Sequence, residues 1–218
     1  MVNSAQSVKQ DLGVLIYVHD PMCSWCWALR PQLDLLLHSL PNDFRIMRLL
    51  GGLAPDSNEP MPETMRRHLQ EVWRNITHIV PGTKFNFDFW RNCIPRRSTY
   101  PACRAVIAAR NQGDEWDEKM TKSIQKAYYL EARNPSDNQT LIEIAETIGL
   151  NVERFTDELD SQQTQRTLLD EIRLSREMGI SGFPSMMLKR GNQLNYLPVD
   201  YTNHLSTLEA IKSNLDLS

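Results

Sequence analysis

Two cysteines separated by two residues, Cys23 and Cys26, carry the clearest chemistry in this sequence. They lie in Pro21-Met22-Cys23-Ser24-Trp25-Cys26-Trp27, where an apolar run ends and a helical pattern begins. Only the thiolate of a cysteine attacks a disulfide, so an exchanging cysteine needs a setting that holds negative charge. The start of a helix is such a setting, because its first backbone N–H groups lack partners and its macrodipole is positive there. Cys23 is expected in that first turn, exposed, with its thiolate held by those N–H groups. Cys26 follows on the same helical face, close enough to close a disulfide and expected to be more buried. Cys23 would then attack and Cys26 resolve the mixed disulfide. The same spacing is half of a zinc site. No second Cys-x-x-Cys and no histidine pair at ligand spacing accompanies it, so neither metal nor cofactor is called for.

The elements around the pair are those needed to position it. Val14-Leu15-Ile16-Tyr17-Val18 is short, β-branched and aromatic, and predicts a buried strand over 13–19. Trp27, Leu29, Leu33, Leu36, Leu37 and Leu40 have the spacing of a largely buried helix over about 23–39, with Pro31 inside it. A second strand is predicted over 44–50. Parallel pairing of the two strands requires a crossover, which the helix supplies. After the loop Gly51 to Pro62 the pattern becomes helical as far as Gly179. Phe85, Phe87 and Phe89 interrupt it as an extended aromatic stretch, and Ser98-Thr99-Tyr100-Pro101 opens a helix with a hydroxyl cap. The β pattern then returns as a hairpin, Pro184 to Leu188 and Gln193 to Leu197 around Arg190-Gly191-Asn192, and a last helix carries Leu205, Leu208, Ile211 and Leu215. Residues 1–58 and 179–218 therefore read as one sheet domain, interrupted by a helical domain at 59–178.

Gly182-Phe183-Pro184-Ser185 is the second informative stretch. Proline is tolerated at the first position of a strand, and an X–Pro bond there is able to be cis. A cis Phe183–Pro184 bond is expected, leaving the Phe183 backbone free to pair with an extended substrate.

With both stretches in hand, the chain resembles the DsbA family of thiol–disulfide oxidoreductases, in its branch without a signal sequence. The likeness spans nearly the whole chain and rests on Asp20 to Trp27, on Ser98 to Arg104 (Ser-Thr-x-Pro-Ala-x-Arg), and on Gly182 to Ser185. It implies an α/β, thioredoxin-like fold, a central mixed sheet interrupted by an all-helical insertion. It implies Cys23 as nucleophile, Cys26 as resolver, and Ser24, Trp25, Phe183 and a cis Pro184 on the substrate side. The sequence departs from the oxidising members, which place histidine between the cysteines. Ser24-Trp25 carries no charge, so isomerase and reductase activity stand beside oxidase activity. His19 and Asp20 either tune Cys23 or form an exposed loop pair. Cys93 and Cys103 read as packing cysteines, with a third-thiol role for Cys103 the lesser alternative.

Composition narrows the partners. The 218 residues are 41% hydrophobic and 23% charged, with a net charge of −3, which gives no electrostatic case for nucleic acid or an anionic membrane. The polar segment Met1 to Leu12 lacks a signal peptide's apolar core, and a cytoplasmic location is expected with Met1 as the start. Expected partners are protein or small-molecule thiols and disulfides, glutathione among them. Two other readings are kept. One is a glutathione-activating enzyme like the kappa-class transferases and chromene-carboxylate isomerases, which place serine at the nucleophile position. The other is a chaperone-like or adaptor protein that binds partners through its helical part.

Overall fold

The computed structural model describes residues 13–42 and 44–215. Strand β1 (Val14–His19) is buried at every residue but its first, as its uninterrupted apolar run demands. It lies between β2 (Arg45–Leu50), which it pairs in parallel, and β3 (Ser185–Arg190), which it pairs antiparallel. The hairpin partner β4 (Gln193–Leu197) completes a mixed four-stranded sheet in the order β2-β1-β3-β4. Helix α1 (Ser24–Ser39) makes the crossover between β1 and β2, with Pro31 inside it.

Alternation along β1 divides the core between the two faces of the sheet. Leu15 and Tyr17 join Leu29, Leu33 and Leu36 of α1, with Leu208 and Ile211 of the last helix, α9 (His204–Asn214). Ile16 and Val18 face the other way, onto Leu49, Ile180 and Met187.

Between β2 and β3 run α2 (Glu63–Ile79), α3 (Phe89–Asn92), α4 (Tyr100–Arg110), α5 (Glu115–Tyr129), α6 (Asn138–Ile148), α7 (Val152–Leu159) and α8 (Gln162–Glu177). Their stops are local: Gly149 closes α6 at φ +90, a conformation open to glycine without steric cost. Asn151 caps α7, its side chain accepting from Arg154 N at 2.9 Å. The four-residue α3 is not foreseen in the sequence. The alternation of Phe85, Phe87 and Phe89 reflects a shared neighbour instead of a strand. All three rings, with Trp90, Tyr128 and Tyr129, surround Trp73 of α2 at centroid distances of 4.9–6.1 Å. The apolar faces read from sequence are slightly too wide, since Ile79, Leu169 and Leu205 are about half exposed.

A buried charge network ties α1 and the sheet to the helices. Arg30 donates to Glu118 at 2.6 Å and to Gln125 at 3.2 Å. Arg48 of β2 pairs with Glu118 at 3.0 Å, and Arg110 pairs with both Asp117 and Glu171. Glu171 of α8 in turn accepts from Leu50 N at 2.8 Å. Each charge therefore meets an opposite one, as burial requires.

Two outcomes follow. Trp73→Ala removes the hub of the aromatic cluster and is expected to cost about 3–5 kcal/mol in urea unfolding; a loss below about 1 kcal/mol would contradict the packing described. Burial pushes Asp117 up to about 6, against the pull of Arg110 and Arg48. The folded chain then binds this proton more tightly than the unfolded chain does, so stability falls as pH rises between the two values. Relative to Asp117→Asn, the parent is expected to lose about 2–3 kcal/mol between about pH 4 and pH 7, measured by denaturant unfolding. A flat difference would contradict it.

Candidate active site

Cys23 ends the tight loop that leaves β1 and stands at the N-cap position of α1, with extended backbone (φ −80, ψ 118). Its carbonyl accepts the first helical hydrogen bond, from Trp27 N at 3.1 Å. The helix therefore begins one residue later than expected, and Cys23 precedes its first turn. Cys23 is also not exposed in the way the sequence suggests: it is only 7% accessible. The reason is the loop before β3, which closes over it. The Cys23 thiol donates to the Phe183 carbonyl at 3.5 Å. Cys26, one turn into α1, is fully buried, and both cysteines are free thiols. Burial pushes the Cys26 thiol well up, the neighbouring Cys23 thiol adds to this, and the Asp20 backbone opposes it. Burial therefore favours the protonated form of Cys26.

Asp20 organises this loop, and the exposed-pair reading of His19 and Asp20 is overturned: the two are 1% and 0% accessible. One carboxylate oxygen of Asp20 accepts from Met22 N at 2.8 Å. The other accepts from Leu53 N at 2.7 Å, the Thr99 hydroxyl at 2.6 Å and the Cys103 thiol at 3.5 Å. The Asp20 carbonyl accepts from Cys23 N at 3.0 Å. Burial pushes this carboxyl up, and its four donors counter that in part. Thr99, read in the sequence as a helix cap, does not cap α4. Its hydroxyl donates to Asp20 and accepts from Ala54 N at 3.1 Å, which leaves it no part in capping the helix. His19 stacks on Tyr17 with centroids 4.8 Å apart. Burial, with Arg30, Arg48 and Arg110 behind it, holds its imidazole well below the usual histidine range, hence neutral.

The Phe183–Pro184 bond is cis, as the sequence suggests. Phe183 is seated by Gly51 at the end of β2, where any side chain would run into the Phe183 ring. Cys23, Ser24, Trp25 and Phe183 line one cavity of about 240 Å³. Pro184, expected on the substrate side, is not in that lining. Trp25 leans on Tyr201, with centroids 4.9 Å apart, and packs against the cluster of Ala28, Ile76 and Val80. The opposite wall comes from the helical run and its approach, notably Met61, Trp73, Arg97 and Tyr128. In the sequence Asp20 stands out only as a neighbour able to tune Cys23, without its partners Leu53, Thr99 and Cys103, and Arg97 is not singled out. The residues they act with are distant in the chain, and no spacing rule links them.

The remaining thiols are elsewhere. Cys93 donates to the Ala132 carbonyl at 3.1 Å. Cys103 is fully buried on Asp20, and burial pushes its thiol well up.

Comparison with known proteins yields the same fold. The sequence profile of the family described as Thioredoxin matches residues 16–197. Among solved structures, a candidate protein disulfide isomerase from Nitrosomonas europaea superposes with a TM-score of 0.79 at 26% identity, covering 94% of this chain and 96% of that one. The cytosolic disulfide reductase DsbM from Pseudomonas aeruginosa gives 0.72 at 24% identity, covering 93% and 97%; it has also been solved with GSH. Among curated proteins, the ClpXP adapter protein SpxH of Bacillus subtilis is 28% identical over 180 residues, covering 82% of this chain and 58% of that protein. The chain spans about three-fifths of the length of the curated relatives it matches. With a profile match across most of its length and a mixed sheet interrupted by helices, the chain belongs to the thioredoxin family, in its DsbA-like form.

Proposed function

We propose that the chain is a thiol–disulfide oxidoreductase working through Cys23 and Cys26, with protein or small thiols, glutathione among them, as partners. The observation that carries this reading is the pair itself. Two free thiols stand three residues apart at a helix start, one on a cavity wall and the other fully buried in the helix. In the first step the Cys23 thiolate attacks a substrate disulfide, forming a mixed disulfide and releasing one substrate thiol. Cys26 then loses its proton and attacks the Cys23 sulfur, releasing the second thiol and leaving the Cys23–Cys26 disulfide. Run backwards, the same steps oxidise a substrate dithiol. Ser24, Trp25 and the Phe183 backbone would receive the substrate, the carbonyl that now accepts from Cys23 being one of the groups an extended chain would meet.

On this reading residues 59–178 are a helical insertion in a thioredoxin unit formed by 1–58 and 179–218, and the cavity lies where the two meet. We place the protein in the cytoplasm, DsbM of Pseudomonas aeruginosa being a cytosolic disulfide reductase. Among the described residues no helix is long and apolar enough to cross a membrane.

A second reading is favoured by one specific observation, the SpxH name of the curated relatives. An adaptor role would use a surface of the fold and leave the thiols dispensable. Binding of purified ClpXP by the parent and by a Cys23→Ser, Cys26→Ser double variant separates the two. Equal binding favours the adaptor, and no binding by either sets it aside.

For the leading reading, Cys23→Ser is expected to abolish insulin reduction, and full retained activity would end it. Cys26→Ser is expected to accumulate a Cys23 mixed disulfide, visible as a mass increase. In Cys23→Ser the remaining Cys26 should alkylate at least tenfold more slowly than free cysteine at neutral pH, because its raised pKa leaves little thiolate. Reaction at the free-cysteine rate would show that Cys26 is not sealed.

A further inference from the structure

We propose that Arg97 is the residue by which this site reads substrate charge, and that it selects small disulfides and thiols bearing a carboxylate. The inference rests on the oxidoreductase reading and adds to it a substrate class and the side chain that sets it.

Three observations support this. The cavity that reaches Cys23 is lined by two cationic side chains, Arg96 and Arg97, and by no carboxylate. The rest of the lining is mostly apolar or hydroxylic, so little there offsets a positive charge. The chain as a whole is anionic, at −3, so the positive cavity is a local arrangement.

The two arginines differ in what already holds them. Arg96 is engaged: it pairs with Asp137 at 2.7 Å and donates to the Ser136 carbonyl. Arg97, half-buried at the cavity wall, has no hydrogen bond or ion pair to any of the described residues. Burial pushes the Tyr128 hydroxyl up, and Arg97 on the same wall pulls the other way. The other cavity-lining cation being neutralised, Arg97 is left to meet an incoming anion.

The backbone beneath Arg97 is fixed on both sides. Met61 N donates to the Pro95 carbonyl at 2.7 Å, and Pro60 and Arg96 form a β-bridge. On the other side the Ser136 hydroxyl donates to the Ser98 carbonyl at 2.6 Å, and Thr99 N donates to the Ala54 carbonyl at 3.0 Å. A guanidinium on such a base recognises a carboxylate through two parallel hydrogen bonds, with geometry as well as charge. At about 240 Å³ the cavity suits a small thiol or a few residues of a peptide. The apolar wall opposite would take the uncharged body of such a molecule while its acid end meets Arg97.

The reaction itself is unchanged. Cys23 attacks the bound disulfide, one carboxylate-bearing thiolate leaves, and Cys26 releases the second, so one disulfide is reduced as one forms in the protein.

The test uses three small disulfides that differ in charge: dithiodiglycolate (anionic), hydroxyethyl disulfide (neutral) and cystamine (cationic). Second-order oxidation rates of the reduced full chain are measured with each, for the parent and for Arg97→Gln and Arg97→Glu. Comparing rate ratios between variant and parent cancels the intrinsic reactivity of each disulfide. The ratio of the dithiodiglycolate rate to the hydroxyethyl disulfide rate is expected to fall about five- to tenfold in Arg97→Gln. Arg97→Glu should shift preference toward cystamine, and added salt should narrow the parent's preference. A ratio unchanged by either substitution overturns the inference, including the case in which both rates fall together because Arg97 serves the Cys23 thiolate. A charge effect seen only with a disulfide held in an acidic polypeptide overturns the small-molecule assignment. If the parent reacts with none of the three disulfides and does not reduce insulin, the oxidoreductase reading itself fails.

Discussion

The fold around the cysteines depends on one buried carboxylate. Asp20 has no contact with solvent, yet it accepts from the backbone of the loop that carries Cys23, from the loop after β2, and from the first residues of α4. Three segments that meet at the site are thus held by a single side chain. Removing such an acceptor would strand buried N–H and O–H donors, each at a cost of about 1–3 kcal/mol. The arrangement also explains how Cys23 is held against the Phe183 carbonyl. The loop before α1 is fixed from within, and the loop before β3 is seated by the bare backbone of Gly51.

Burial then divides labour between the two thiols. Cys23 contributes the sulfur that reaches a cavity, and Cys26 contributes one held in its protonated form by the surrounding protein. On the proposed reading, this asymmetry assigns the first attack to Cys23 and leaves Cys26 to resolve the mixed disulfide. The helical run contributes a second wall, with Trp73 shared between the aromatic cluster and the cavity. Packing of the helices and shape of the site are therefore coupled through one ring.

Much of this was legible in the chain. A short β-branched strand, a Cys-x-x-Cys turn, an amphipathic helix and a second strand are strong local signals, and the structure has each within about a residue of its expected place. The cis bond at Pro184 was legible only beside the cysteine motif, since proline alone says little. What was hidden is non-local. Asp20 meets Leu53, Thr99 and Cys103 across 33, 79 and 83 residues, and Thr99 looked like a helix cap because its neighbours are those of a cap. The exposure of Cys23 was misjudged for the same reason: the group that covers it lies 160 residues away. Periodicity finds elements, and it does not find which loop will close over which.

The most direct measurement is the redox equilibrium of the Cys23–Cys26 pair in glutathione buffers of graded ratio, followed by acid quench, alkylation and mass analysis. The account predicts a single two-electron transition in which both thiols leave the alkylated population together, as an intramolecular disulfide. Thiols that stay fully alkylatable at every ratio, or a Cys23 that ends only as a glutathione adduct with Cys26 still free, would contradict it.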